Sequence, residues 1–382
     1  MSTKSKRFLS DFLTLTNGKK KPDSKGPIPV YGGNGIFDTT GTSNSNNCII
    51  IGRVGAYCGS VHFEENSCWI SDNAIFAKPK NDNCIRYFYY LLKNLHLQQR
   101  QIGTSQPLIT QKVLNTIEVC PHHIDDQRRI AHILTSLDNQ IDCLNQTNGH
   151  LLELLMTEYR NVINSIDTYG CIEDLGTVVG GATPSKKREE FFTTSGISWV
   201  TPKDLSNTAN IFIEHGTMDI TDAGYQSCST KLMPAGSVLF SSRAPVGYVA
   251  IAAKEVCTNQ GFKSVVPSDN IGTAFVFCFL RDNAKEIEKA GSGTTFVEVS
   301  GRAMRHFAAP IPSAEQARSF SSYAGPLLNA IKSNENEIAA LAKLRDALLP
   351  KLMSGEIDVS KVELPTPPEQ SSATNGRLSE LD

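Results

Sequence analysis

Arg53, in Gly52-Arg53-Val54-Gly55-Ala56-Tyr57, and Arg243, in Ser242-Arg243-Ala244-Pro245-Val246-Gly247-Tyr248, occupy like settings 190 positions apart. Each offers a planar guanidinium fork on a turn. The neighbouring glycines let backbone approach a ligand, and the fork matches a phosphate or the edge of a guanine. Asn73, Asn259 and Gln260 add amides of the kind that pair with adenine. The clusters Lys19-Lys20-Lys21 and Lys186-Lys187-Arg188, with Lys203 and Lys263, supply charge for a polyanion. Gly52, Tyr57, Ser242 and Tyr248 complete this candidate nucleic-acid-binding set. At each position a purely structural loop role stays open; as a set in both halves of the chain, they favour gripping and reading DNA.

Bond-breaking chemistry finds no comparable signature. A nucleotide motor needs a lysine after its glycine-rich loop, and Ala290-Gly291-Ser292-Gly293-Thr294-Thr295 has none. Gly32-Gly33-Asn34-Gly35 lies among turns rather than between strand and helix, unlike a cofactor loop. The base-holding Pro-Pro-aromatic element of an amino-methyltransferase is missing too, since the one Pro-Pro, Pro367-Pro368, lies in an acidic tail. Pro22-Asp23-Ser24-Lys25 has no upstream acid to complete a metal nuclease centre and reads as a polar loop. Ten cysteines are scattered without a Cys-x-x-Cys and read as reduced core residues, so no metal site is assigned. No cofactor is expected on this chain.

The 382 residues exceed one typical domain, and 40% hydrophobic with 20% charged residues is an ordinary globular balance. The longest apolar run, Ala274 to Leu280, is too short to span a bilayer, so the expected location is cytoplasmic and no membrane partner is expected. The formal charge of −2 hides an asymmetry: from Ser354 onward six acids face two bases, which leaves the first 353 residues at +2. Residues 356–382 read as a disordered acidic tail.

The elements that would carry the candidate residues are written twice. Ile102-Gly103-Thr104-Ser105, Leu114, Ile117, Pro121 and Asp126-Gln127 recur as Ser292-Gly293-Thr294-Thr295, Met304, Phe307, Pro310 and Glu315-Gln316 at an offset of 190 falling to 189. Ser10-Asp11 and Lys21-Pro22 face Glu173-Asp174 and Thr183-Pro184 near an offset of 162, which places an insertion of about 28 residues in the second copy within Glu190 to Asp222. Short strand-like runs appear at Cys48 to Gly52, Ser60 to Phe63, Ala74 to Lys78, Ser237 to Ser241, Tyr248 to Ala252 and Phe262 to Val266, followed by helical segments Ile85 to Gln101 and Ile271 to Ala290.

Each copy ends in a long amphipathic helix. The predicted seam runs through Leu137, Ile141, Leu144, Asn148, Leu151 and Leu155 in the first, and Ile331, Asn334, Ile338, Leu341, Leu344, Leu348 and Leu352 in the second. A capping box at Ser313-Ala314-Glu315-Gln316 starts the second helix, Asp125 or Asp126 caps the first, and Gly325-Pro326 is expected to interrupt the second. Asparagines on such a seam set register. Packed antiparallel, the helices would span about 50 to 60 Å at 1.5 Å per residue and hold the two globular copies at opposite ends.

The run from Ile124-Asp125-Asp126-Gln127-Arg128-Arg129-Ile130-Ala131 to Leu137-Asp138-Asn139-Gln140-Ile141, and the run from Leu344-Arg345-Asp346 to Gly355-Glu356-Ile357, resemble the two helical regions of the specificity subunit of type I restriction-modification systems. Gly103 to Pro121 and Gly291 to Pro312 look like the ends of its recognition domains, and the resemblance covers the chain to about Gly355. It implies an α/β (α+β) architecture of two sheet-based target-recognition domains, 1–122 and 166–312, separated by spacer helices at 123–165 and 313–355. It also implies a non-catalytic subunit that reads a bipartite, asymmetric double-stranded DNA target. Two methyltransferase subunits and motor-nuclease subunits would be its partners, giving the complex endonuclease and adenine-N6 methyltransferase activities. S-adenosylmethionine, ATP and Mg would reside on those partners. A coiled-coil scaffold without DNA specificity and a stand-alone DNA-modifying enzyme are the rival readings.

Overall fold

Period-two alternation along Cys48-Ile49-Ile50-Ile51 explains the centre of the first unit. Ile49 and Ile51 face a core completed by Tyr87, Phe88, Leu91 and Leu92 of the helix Ile85–Asn94. Cys48 and Ile50 face the opposite way, onto Tyr31, Cys68 and Ile70. A strand covered on both faces reads as a continuous apolar run rich in β-branched residues, here Ile49, Ile50 and Ile51. A computed structural model describes residues 7–103, 107–243, 245–291 and 297–363. In it the chain forms two units, one of residues up to Gln140 together with those from Leu341, the other Ile141–Ala340.

The first unit holds an antiparallel sheet in the order Leu13–Asn17, Ala74–Pro79, Cys48–Gly52, Val61–Glu64. A hairpin, Ile28–Gly32 with Gly35–Thr40, pairs in parallel with Trp69–Ile70. The second unit repeats this topology with Gly176–Gly180, Lys263–Pro267, Val238–Phe240 and Val249–Ala252. Trp199–Val200 and Cys257–Thr258 form its parallel pair. The ends of each globular part also pair, Arg7–Phe8 with Glu118–Val119 and Tyr169–Cys171 with Ala308–Pro310. Elements without a counterpart in the first unit fall inside the second copy's extra sequence, among them the helix Pro202–Ser206 and the edge strand Phe212–Ile213. The segment expected as one helix from Ile85 ends at Asn94 and resumes as a 3-10 turn at Leu97–Arg100, and that from Ile271 splits into Thr273–Asp282 and Ala284–Lys289.

The long helices are Ile124–Ile163 and Ala314–Ser354. Within the second unit they run antiparallel: Gln316 Nε2 donates to the Ser165 carbonyl at 3.0 Å, and Asn334 Nδ2 donates to Asn148 Oδ1 at 2.8 Å. The two seam asparagines thus satisfy each other, which penalises a shifted register. Leu155 and Ile331 are buried, while Ile141, Leu144, Asn148, Leu151, Asn334 and Ile338 are half-buried. In the first unit Leu137, Leu341 and Leu348 are half-buried, Leu352 is buried, and Leu344 lies off the seam. There Arg345 Nη1 meets Asp138 Oδ1 at 2.7 Å, and the Tyr90 hydroxyl donates to Asp138 Oδ2 at 2.6 Å.

Three expectations are corrected. Gly325-Pro326 does not interrupt the second helix. Proline costs one intrahelical bond and crowds the preceding turn, but buried Ala324, Leu328 and Ile331 hold the helix on its core. Asp125 and Asp126 lie in the first turn of the first helix rather than at its cap, Asp126 pairing with Arg129 at 3.2 Å. Residues 356–363 of the assigned disordered tail are ordered: Val359 is buried, Ile357 and Val362 pack on the first core, and Arg129 Nε donates to the Val362 carbonyl at 3.1 Å. Charge averaged over 27 residues hides that short apolar stretch. The rest of the tail, and the Gly-Thr stretches at 104–106 and 292–296, lie outside the described residues.

Candidate nucleic-acid interface

The two units build the same crossing of loops. A Cβ placed on Gly18 would lie 2.0 Å from the Ser71 carbonyl oxygen, and one on Gly181 would lie 2.2 Å from the carbonyl oxygens of Thr258 and Asn259. Only glycine allows that approach. The next residue donates its backbone N–H across the crossing in each case, Lys19 to the Ile70 carbonyl and Ala182 to the Thr258 carbonyl, both at 3.0 Å. The chain's two tryptophans fasten these loops: Trp69 Nε1 donates to the Lys19 carbonyl at 3.0 Å, and Trp199 Nε1 to the Ala182 carbonyl at 3.1 Å. The first basic cluster is thereby set beside Ser71-Asp72-Asn73, and the chain leading to the second beside Asn259-Gln260-Gly261.

Arg53 sits at the edge of the first crossing. Its Nη1 donates to the Asp72 carbonyl at 3.3 Å, and its backbone N–H to the Asn73 carbonyl at 2.9 Å. Lys19, Lys20, Tyr57 and Asn73 are exposed, whereas Lys21 is ion-paired with Asp38. In the second unit Lys186, Lys187, Arg188, Lys203 and Gln260 are exposed. Thr183 Oγ1 donates to Gln260 Oε1. Asn259 Oδ1 accepts from the Gly261 N–H at 2.8 Å, and the Arg188 guanidinium lies over the Phe191 ring.

Several candidates are engaged by their own surroundings, and two, Ser242 and Gly52, lie too deep for contact. Ser242 is wholly buried, and its backbone bonds Gly261 and Val299, so it shapes the turn and cannot reach a ligand. Gly52 is buried too; a Cβ there would lie 2.4 Å from the Tyr57 carbonyl oxygen, so glycine is required for packing. Arg243 is neutralised by Glu298, Nη2 to Oε1 at 3.0 Å. Tyr248 packs on a core of Leu239, Ala250 and Phe262. Lys263 is half-buried, and burial holds its ammonium below the usual lysine range, opposed by Glu298.

Sequence reasoning missed other groups on this side of each unit. The hairpin tip presents Ile36 and Phe37, each 59% exposed, with Gly35 at φ +89° making the turn. Beside the second crossing lies an open cavity of about 720 Å³, lined by Phe192, Trp199 and Met218 together with Lys186, Lys203, Asn259 and Gln260. Phe37 and Met218 carry no periodic signal, because their exposure depends on which strand edge is left uncovered.

The family described as type I restriction modification DNA specificity domain matches residues 1–153 and 168–343. The chain is 36% identical over 172 residues to the type I restriction enzyme MjaIX specificity subunit of Methanocaldococcus jannaschii, a match spanning 44% of this chain and 39% of that one. With the putative MjaX specificity subunit of the same organism it shares 23% identity over 338 residues, 81% of this chain and 76% of the other. The match spans about two fifths of the length of the MjaIX protein and of the HindI specificity subunit of Haemophilus influenzae. The crystal structure of a type I restriction-modification S subunit from M. genitalium superposes with TM-score 0.58 at 16% identity, covering 91% of this chain and 95% of that one, which shows a shared fold. Among the described residues no helix is long and apolar enough to cross a membrane.

Proposed function

Because the chain belongs to the type I restriction modification DNA specificity family, we propose that it is the DNA-reading subunit of a type I restriction-modification complex, with one half of a bipartite target read by each unit. The observation that carries this is the duplicated crossing, in which Gly18 and Gly181 admit a close backbone approach and a tryptophan indole pins a loop leading to a basic cluster. Phosphate contacts by such lysines position a duplex, and amides and guanidinium groups on the neighbouring loop read base edges. The unequal inserted segments give the two surfaces different side chains, which supports an asymmetric target.

On this reading the long helices fix the spacing between half-sites. Methyltransferase and motor-nuclease subunits bring adenine-N6 methylation and cleavage, and they carry S-adenosylmethionine, ATP and Mg, while this chain positions them on DNA. The test is reconstitution with a methyltransferase partner, followed by sequencing of methylated adenines. A single gapped, two-part motif is expected. Methylation without a motif, or activity of this chain alone with DNA and magnesium or methyl donor, would overturn the proposal.

A further inference from the structure

The strand pair that closes the globular part of the second unit carries three metal-ligating side chains that its twin lacks. Cys171 ends the strand Tyr169–Cys171, Glu173 lies in the helix Ile172–Leu175, and His306 follows the helix Gly301–Arg305. One donor atom from each lies within 4.8 Å of the other two, and His306 Nδ1 is 3.9 Å from Glu173 Oε1. A tetrahedral zinc-class ion holds such donors about 3.3–3.7 Å apart, so side-chain rotations of about 1 Å bring the three onto one ion.

The fold does not require these residue types. In the first unit Leu9 N–H donates to the Ile117 carbonyl, and in the second Ile172 N–H donates to the Phe307 carbonyl. Asp11 and Asp174 likewise each accept the N–H three residues earlier, from Phe8 and Cys171. That correspondence sets Cys171, Glu173 and His306 against Phe8, Ser10 and Thr116. The same local structure thus forms with no ligand at any of the three positions.

We propose that Cys171, Glu173 and His306 bind one divalent transition metal of the zinc class, clipping the entry of the second globular part to its exit. A thiolate with an imidazole selects such ions over magnesium and calcium, which take oxygen donors. On binding, the Cys171 thiol loses its proton to solvent as the metal–sulfur bond forms, and the hydrogen bond it now gives Asp174 Oδ2, at 3.1 Å, is released. Thiolate and carboxylate together neutralise the dication. Arg305, 3.9 Å from Glu173, then turns to Asp174, whose carboxylate keeps the Cys171 N–H but has lost the thiol. Among the described residues no fourth ligand joins these three, so water fills that position. The ligands escape a linear scan because the third stands more than a hundred positions from the first two.

The test is titration of the chelator-stripped full chain with cobalt(II), followed by zinc competition. One equivalent per chain, a thiolate-to-cobalt charge-transfer band and release of about one proton are expected. Cys171→Ser should abolish the band, and Glu173→Ser and His306→Thr should each weaken zinc at least about 100-fold, more than the loss of an outer-shell partner. The last two import residues the first unit already carries here, so the metal-free fold should survive, as judged by circular dichroism. Absence of saturable binding, or a band that survives in Cys171→Ser because exposed Cys120 or Cys143 supplies the thiolate, would overturn the site.

Discussion

Glu335 is where a long helix grips the sheet of the second unit, and its removal should loosen one strand selectively. Glu335 is 6% exposed; its Oε1 accepts the Ile211 N–H at 2.6 Å and Oε2 the Phe212 N–H at 3.1 Å. Glu335→Ala strips the acceptor from two backbone donors. Each bond to a charged acceptor contributes about 1.5–3 kcal/mol, and part of that sum returns when the buried charge is removed and water enters the cleft lined by Phe212, Lys332 and Glu335. A net loss of about 2–3 kcal/mol follows, or roughly 30- to 150-fold faster amide exchange at Ile211 and Phe212 if the strand opens locally. Amides of Val238–Phe240, in the middle of the same sheet, serve as the control. Burial pushes the Glu335 carboxyl above its ordinary value, against the pull of the two N–H groups. The folded state therefore holds that proton more tightly, so this group's contribution is fullest below the ordinary glutamate pKa and declines as pH rises toward the raised one. Glu335→Gln should flatten that slope. Unchanged exchange at Ile211 and Phe212 in Glu335→Ala would show that the carboxylate does not hold this strand.

Gly18→Ala and Gly181→Ala should each cost about 1–3 kcal/mol, because the added methyl meets backbone rather than a movable side chain, and should weaken binding to target DNA by fluorescence anisotropy. Replacing Lys19, Lys20 and Lys21 together by alanine should lower the salt dependence of DNA binding by about two ions rather than three, since Lys21 is already paired with Asp38. Glu298→Gln frees Arg243 and should tighten DNA binding at low salt, while Arg243→Ala loosens it; equal affinity in both variants would remove Arg243 from the interface. If the long helices set the spacing as proposed, four residues inserted after Asn148, which lengthen that helix by about 6 Å, should lengthen the gap between the two halves of the methylated motif without changing either half.

Much of the architecture was legible in the chain because it rests on local, repeating physics. The duplication shows as a near-constant offset. The long helices show as apolar residues every three or four positions, and Ser313 and Gln316 cap one of them by bonding each other's backbone N–H. The positions of the basic clusters and the loop amides were likewise readable, since charge and turn residues advertise themselves one at a time. Their environments were not. Ser242 and Arg243 are adjacent, yet one is buried and the other is held by Glu298, a pairing decided by chain that returns more than fifty positions later. Gly325-Pro326 stays helical because contacts from outside the helix outweigh the lost bond. Nothing in the sequence sets Glu335 apart; the edge strand of the extra segment is what places two N–H groups against it. What repeats along the chain is written in it: two copies, two amphipathic helices and the loops that bear cations. Which side chains meet is set by the folded structure, because burial and pairing depend on distances between residues far apart in the chain, and no period in the sequence encodes those distances.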